Sequence, residues 1–105
     1  MAWVFLILAS ICEIAFAGSL KLTQNFTNIK WTVFFVLFYI LSVILLNRAV
    51  KEIPIGTAYA VWTGIGAAGT VLIGILYFKE PYPFWRIFFL STLVLSIVGL
   101  KLVSK

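Results

Sequence analysis

The chain has 105 residues, 64% of them hydrophobic and only 10% charged, with a formal net charge of +5. A soluble domain carries roughly a quarter charged residues, so these proportions exclude a soluble globular enzyme and indicate one integral membrane domain. Histidine and aspartate are absent and there is a single cysteine, Cys12, which excludes an intrachain disulfide, nearly every metal site and the Ser/His/Asp and Cys/His catalytic sets, so neither enzyme chemistry nor a cofactor is expected.

The first apolar run, 2–20, reads AWVFLILASICEIAFAGSL. As a helix it measures about 28 Å, enough to cross the hydrocarbon core of a bilayer. Its one charge is Glu13, which then lies at membrane depth. A carboxylate there costs roughly 3 kcal/mol on insertion scales, and such a residue by default faces a partner or a water-filled cavity. The bland alternative is a protonated carboxyl that only hydrogen-bonds a neighbouring helix. Ala15-Phe16-Ala17 fits a signal-peptidase pattern, but Met1-Ala2-Trp3 carries no basic residue and Glu13 interrupts the apolar stretch, so the segment reads as a retained span. Cys12 reads as a small buried helix residue.

Residues 21–30 are polar and form a first loop. The second run, 31–48, has Trp31 and Arg48 as interface anchors and Tyr39 and Ser42 as interior polar groups, three apart and so on one helix face. Ser42 has an equally good explanation in a bond back to the carbonyl one turn earlier. After a short second loop comes the third run, 54–78, uncharged and holding five of the seven glycines. Tyr59, Trp62, Thr63 and Gly66 fall at i, i+3, i+4 and i+7, one face that joins two hydrogen-bonding aromatics to small residues permitting close approach. Tyr59 and Trp62 are either interface-belt residues or the lining of a cation site; their depth within the run favours the site. Gly64-Ile-Gly66-Ala-Ala-Gly69 matches G-x-G-x-x-G, but without the strand, amphipathic helix and downstream acid that a dinucleotide site needs; Gly64, Gly66 and Gly69 are expected to allow tight packing and local bending. The third loop, 79–83, carries two prolines. The fourth run, 84–103, spans only if Arg86 and Lys101 extend to the two surfaces. Its Ser91, Thr92 and Ser96 suit a helix–helix seam, which assigns this helix to assembly, with Ser91 and Ser96 on a dimer contact.

The expected fold is therefore all-α, four membrane spans with short loops. The eight basic residues flank the apolar runs instead of clustering, which fits membrane anchoring and argues against nucleic acid. Four spans put Arg48, Lys51, Lys101 and Lys105 on one side and Lys21, Lys30, Lys79 and Arg86 on the other. Orientation follows Lys/Arg bias, and here there is none. Opposite-facing copies then pair as an antiparallel, dual-topology dimer, the one arrangement in which a single sequence produces a pseudo-inverted repeat.

These residues resemble the small multidrug resistance transporters over essentially the whole length. The resemblance rests on the lone Glu13 in a short first helix, Leu20-Lys21 at its end, Ser42 before Leu45-Leu46, and the block Pro54-Ile-Gly56-Thr-Ala-Tyr59-Ala-Val-Trp62-Thr-Gly64-Ile-Gly66. It implies an antiparallel homodimer in the bacterial inner membrane that exports small organic cations in exchange for protons. Both copies of Glu13 would stand at the shared site, with Ser42, Tyr59 and Trp62 lining it and Phe16, Tyr39 and Thr63 in the wider pocket. Phe78-Lys79-Glu80-Pro81 and Gly99-Leu100-Lys101 look like the guanidinium-exporting branch. That branch usually has Trp where this chain has Phe16, while Tyr39 resembles the quaternary-ammonium and multidrug branch. The expected substrate range therefore covers both cation classes, with a narrow guanidinium exporter as the alternative. Some members pair with a paralogue; the balanced charges argue against that here. From the residues themselves the machine needs one carboxylate that holds either a proton or a cation, hydrogen bonds to it from Ser42 and Tyr59, and aromatic faces worth about 0.5–2 kcal/mol each to a cation. A non-transporting assembly subunit explains four helices and packing glycines, but not an acid, two aromatics and a serine at compatible depths. A passive channel needs no titratable site.

Overall fold

The computed structural model describes residues 1–103; Lys105, one of the basic residues counted above, lies outside them. Four helices run through it: α1 (Ala2–Ser19), α2 (Ile29–Ala49), α3 (Ile55–Leu76) and α4 (Phe84–Val103). At 18 to 22 residues they are roughly 27–33 Å long, and all four are long and apolar enough to cross a membrane.

The first loop is more structured than its polar composition suggests. A 3-10 turn, Leu20–Thr23, extends α1. Gln24, Asn25 and Phe26 then take left-handed backbone angles, with φ of 50°, 60° and 66°, which reverses the chain in three residues. Asn28 starts α2 two residues earlier than the apolar pattern does, because its side chain accepts a hydrogen bond from the backbone N–H of Trp31 (3.4 Å) and satisfies one of the free donors of the first turn. At the far end α3 stops at Leu76, ahead of the prolines: Lys79 is left-handed, at φ 59°.

The helix α1 is the centre of the molecule. It packs on α2 along one side and on α3 along the other, α4 packs on α3, and α2 and α3 barely meet. The core near the N-terminal end of α1 joins Ala2 and Leu6 to Ala49, Ile53, Ala58 and Val61. In a bilayer apolar faces gain nothing by leaving lipid, so close contact of small residues decides which helices meet. On α3 one face, Gly66, Gly69 and Ile73, lies on α1: a side chain at Gly69 would overlap Ile14, and a Cβ at Gly18 would stand 3.0 Å from Ile73. Its other face lies on α4, where a Cβ at Gly64 would be 2.6 Å from Cδ1 of Ile97. The three glycines therefore serve close approach, and α3 is continuous through them.

Charges mark the two ends. Arg48 lies over the Phe5 ring (5.4 Å) and Lys101 over the Trp3 ring (5.0 Å), gathering the starts of α1 and the ends of α2 and α4 at one end. Lys21 lies over Phe78 (5.1 Å) at the other, where Glu80 and Arg86 form an ion pair at 2.9 Å. That pair is partly exposed and worth at most about 1 kcal/mol. The whole is a slab, 42 × 35 × 16 Å between Cα extremes. None of the described residues of α4 is buried; Ser91 and Ser96 both stand on its open surface.

Candidate functional site

Because α1 and α3 run in the same direction and α2 runs against them, the sequence candidates fall at three levels along α1. At the first, Ser42 of α2 is fully buried, and its hydroxyl donates to the carbonyl of Ala9 on α1 at 2.7 Å. The indole Nε1–H of Trp62 on α3 donates to the same Ser42 oxygen at 2.9 Å. One hydroxyl thus ties together three helices, two of which scarcely touch. A hydroxyl has one hydrogen and two lone pairs, so one acceptor position of Ser42 remains. Ala9 is itself fully buried, and the smallness of its side chain is what lets α2 come this close.

One turn along α1, at the second level, the Glu13 carboxyl lies against Gly66 of α3. A Cβ built at Gly66 would overlap Oε1 and lie 2.9 Å from Cγ of Glu13. Oε1 is buried and has no hydrogen-bond partner. A buried carboxyl oxygen lacking a donor costs on the order of 1–3 kcal/mol or more, so this atom is poised to accept from something that comes and goes. At the third level Phe16 meets the edges of Tyr39 (5.2 Å) and Phe35 (5.4 Å), and Phe35 and Tyr39 stack at 6.2 Å.

The structure departs from the expected hydrogen bonding in two respects. Ser42 neither bonds back within α2 nor donates to Glu13; Ala9 is one turn from Glu13, and a buried hydroxyl takes the nearest acceptor. Nor does Tyr59 bond to Glu13. It is seven residues before Gly66, about 10 Å along the axis, with its ring on Trp62 (5.8 Å) and more than half its surface open. Thr63 shares the turn of Trp62 but points outward and is exposed. Glu13, Ser42, Trp62 and Gly66 are therefore brought together within the chain, Phe16 and Tyr39 join at the rim, and Tyr59 and Thr63 stand on the open side. Sequence reading missed Ala9 and Phe35. The alternation of small residues on α1 is a signal for Ala9; Phe35 is one turn before Tyr39 and was hidden in an unbroken apolar run.

The lining of the largest nearby cavity is apolar apart from Lys101 near the end of α4. About 460 Å³ between Trp3, Ile7, Ile14, Ile65 and Ile97 lies behind the carboxyl, toward α4. It offers a cation no acceptor, so the polar chemistry stays at Glu13. Among the described residues no group of three or more His, Cys, Asp or Glu side chains is placed to hold a metal.

The chain as a whole matches a known family. The profile described as "Small Multidrug Resistance protein" matches residues 1–93. The chain is 42% identical over 104 residues to the guanidinium exporter of Proteus vulgaris, covering 99% of this chain and all of that one. It is 43% identical over 102 residues to the guanidinium exporter of Escherichia coli K12, covering 97% of each. A Bacillus licheniformis relative, 40% identical over 104 residues, covering 99% of this chain and all of the relative, is named a probable guanidinium efflux system subunit. With bacterial exporters as relatives, the four apolar helices are those of a multi-pass protein of the inner membrane, and the names are those of transport proteins, not enzymes. On the match over residues 1–93, the chain belongs to the small multidrug resistance family.

Proposed function

We propose that this protein exports guanidinium and small guanidinium-like cations in exchange for protons, as an antiparallel pair of identical chains with Glu13 as the shared binding group. The observation that carries this reading is the buried, unpartnered Oε1 of Glu13. Such an acceptor is satisfied by a group with hydrogens to donate. A proton and a planar guanidinium both provide them, the latter in the fork geometry that matches carboxylates; a quaternary ammonium has none. The relatives' names point the same way, so the broader expectation that included quaternary ammonium narrows to guanidinium. Phe16, standing one turn from the carboxyl, offers an aromatic face without an N–H that would compete for it.

Exchange follows from competition. Guanidinium binds the ionised carboxylate and a proton removes that charge, so binding is present above the site's pKa and lost as pH falls through it. In proteoliposomes, guanidinium counterflow driven by a pH gradient is the expected result, with a quaternary ammonium ion carried far more slowly. Apparent guanidinium affinity should drop about tenfold per pH unit below the site's pKa. An affinity that stays constant between about pH 4 and pH 8, a range that takes in the ordinary glutamate titration at about 4.3 and upward displacements of it, overturns a shared carboxylate.

The pairing rests on shape and charge. A slab 16 Å thick leaves Glu13, Tyr59 and Tyr39 on or near an open face, and α4 has no buried residue to explain its apolar surface. The basic residues divide evenly between the two sides. A second reading, pairing with a different chain, is favoured by the word "subunit" in the Bacillus licheniformis name. Topology separates them. A reporter at the C-terminus should be found on both faces of the membrane. Two lysines added to the second loop should fix one orientation and abolish activity without lowering expression, and co-expression with a copy biased the other way by lysines in the first loop should restore it. A wild-type chain with one fixed orientation removes the antiparallel homodimer and leaves the mixed pair.

A further inference from the structure

The 460 Å³ cavity behind the carboxyl has a direction. On α4 its lining is Val94, Ile97, Val98 and Lys101, at i, i+3, i+4 and i+7, one face of the helix. On α1 it runs from Trp3 to Ile14, about 16 Å along the axis. Because α4 runs against α1, Trp3 and Lys101 stand at the same end, with the Lys101 ammonium 5.0 Å from the centre of the Trp3 ring. The other end stops at Ile14 and Val94, next to Glu13. The hydrocarbon core of a bilayer is about 30 Å thick, so this groove is as deep as one leaflet. Its mouth lies at headgroup level, the depth that suits a tryptophan and a lysine. Val94 and Val98 are exposed, so the groove opens to the surrounding lipid. Its walls give water no hydrogen-bond partner below the mouth, and an apolar cavity stays dry. Charge completes the pattern. Among the described residues the lining holds no acid, and this end of the molecule carries Arg48, Lys51 and Lys101 against Glu52 alone.

We propose that this groove binds one anionic phospholipid, with an acyl chain lying between α1, α3 and α4 and the headgroup phosphate on Lys101. The site is separate from the one at Glu13 and does not depend on which cation is exchanged there. The Trp3 ring covers one side of the Lys101 ammonium and holds it at the mouth; an ammonium has three hydrogens, so donors remain for a phosphate oxygen. A lipid of net negative charge is favoured over a zwitterionic one, whose own ammonium meets the surplus of positive charge at this end. The other candidate occupant is a second copy of the chain. Its α4 laid in the groove brings its own Lys101, or its Arg86 with Glu80 already engaged, so no free carboxylate reaches the mouth. A copy also has a different surface to use. Ser96 is two residues before Val98, about 200° round the helix, so that side of α4 stays open when the groove is filled. With hydrocarbon in the groove the back of the α1–α3 seam is closed, and polar access to Glu13 comes from the open face alone.

The test is lipid retention by the purified protein, read by native mass spectrometry from detergent holding equal amounts of phosphatidylglycerol and phosphatidylcholine with the same chains. Wild type should retain phosphatidylglycerol over phosphatidylcholine by about fivefold, the effect of one cation near the surface. Lys101→Gln should remove that preference and Lys101→Arg should keep it. Lys51→Gln takes one charge from the same end outside the groove and should leave the preference unchanged. Val98→Trp, which fills the groove with an apolar side chain, should lower retention of both lipids about tenfold, since each displaced methylene loses its burial. Added phosphatidylglycerol should raise the melting temperature of wild type and not that of Lys101→Gln, because a ligand stabilises only the chain that binds it. Equal retention of the two lipids by wild type, a preference that survives Lys101→Gln, or one lost equally in Lys51→Gln overturns the site. So does wild-type retention by Val98→Trp. A wild type that carries no lipid, together with a Val98→Trp protein whose chains no longer pair, gives the groove to a second copy and overturns the proposal as well.

Discussion

Glu13→Gln should abolish proton-driven guanidinium export, by at least about 100-fold, the loss typical when a positioned acid–base group is removed. Glutamine keeps the size and an acceptor oxygen, so it fits the same space beside Gly66. It cannot ionise, so it neither attracts a cation nor carries a proton. A neutral side chain at this depth is also cheaper to insert than a carboxylate, which costs roughly 3 kcal/mol on insertion scales, so lower expression is not the expected cause of the loss. Crosslinking should find as many dimers as in wild type. The other two acids serve as controls. Glu52 is exposed in the second loop and Glu80 is paired with Arg86 at 2.9 Å, and their Gln variants should retain transport within a few-fold. A Glu13→Gln protein that exports guanidinium down a proton gradient at wild-type rate overturns the mechanism.

Gly66→Ala should be nearly as damaging, although no charge is touched. The added Cβ would overlap Oε1 and stand 2.9 Å from Cγ, where ordinary contact between such atoms is 3.4–4 Å. The Glu13 side chain has to rotate out of its place. A displacement of about 1 Å at a reacting group costs about 100-fold, and that is the expected fall in transport. Helix propensity works in the opposite sense: alanine favours the helix by about 1 kcal/mol over glycine, so thermal stability in detergent should fall little. This separation of activity from stability is the diagnostic. Gly56→Ala and Gly99→Ala meet nothing within 4 Å and should transport as wild type does. Wild-type transport by Gly66→Ala would mean that Glu13 acts from another position than the one against α3.

The sequence by itself determined the four membrane helices, the one acid at membrane depth and the family. Those properties are local: a run of apolar residues, a charge within it, a contiguous block from Pro54 to Gly66. What it left open were partnerships between helices. Ser42 was visible as a buried hydroxyl, yet its acceptor, Ala9, and its second partner, Trp62, depend on the register of α1 against α2 and α3. Tyr59 and Trp62 share a helix face, but only Trp62 turns toward the core, because α1 covers the seam at Gly66 while the turn holding Tyr59 remains open. In a soluble protein the polar side of each helix would reveal its outward face. Here every face is apolar, and the register is set by where Ala9, Gly66 and Gly69 let backbones approach, a fit between surfaces that no single helix encodes.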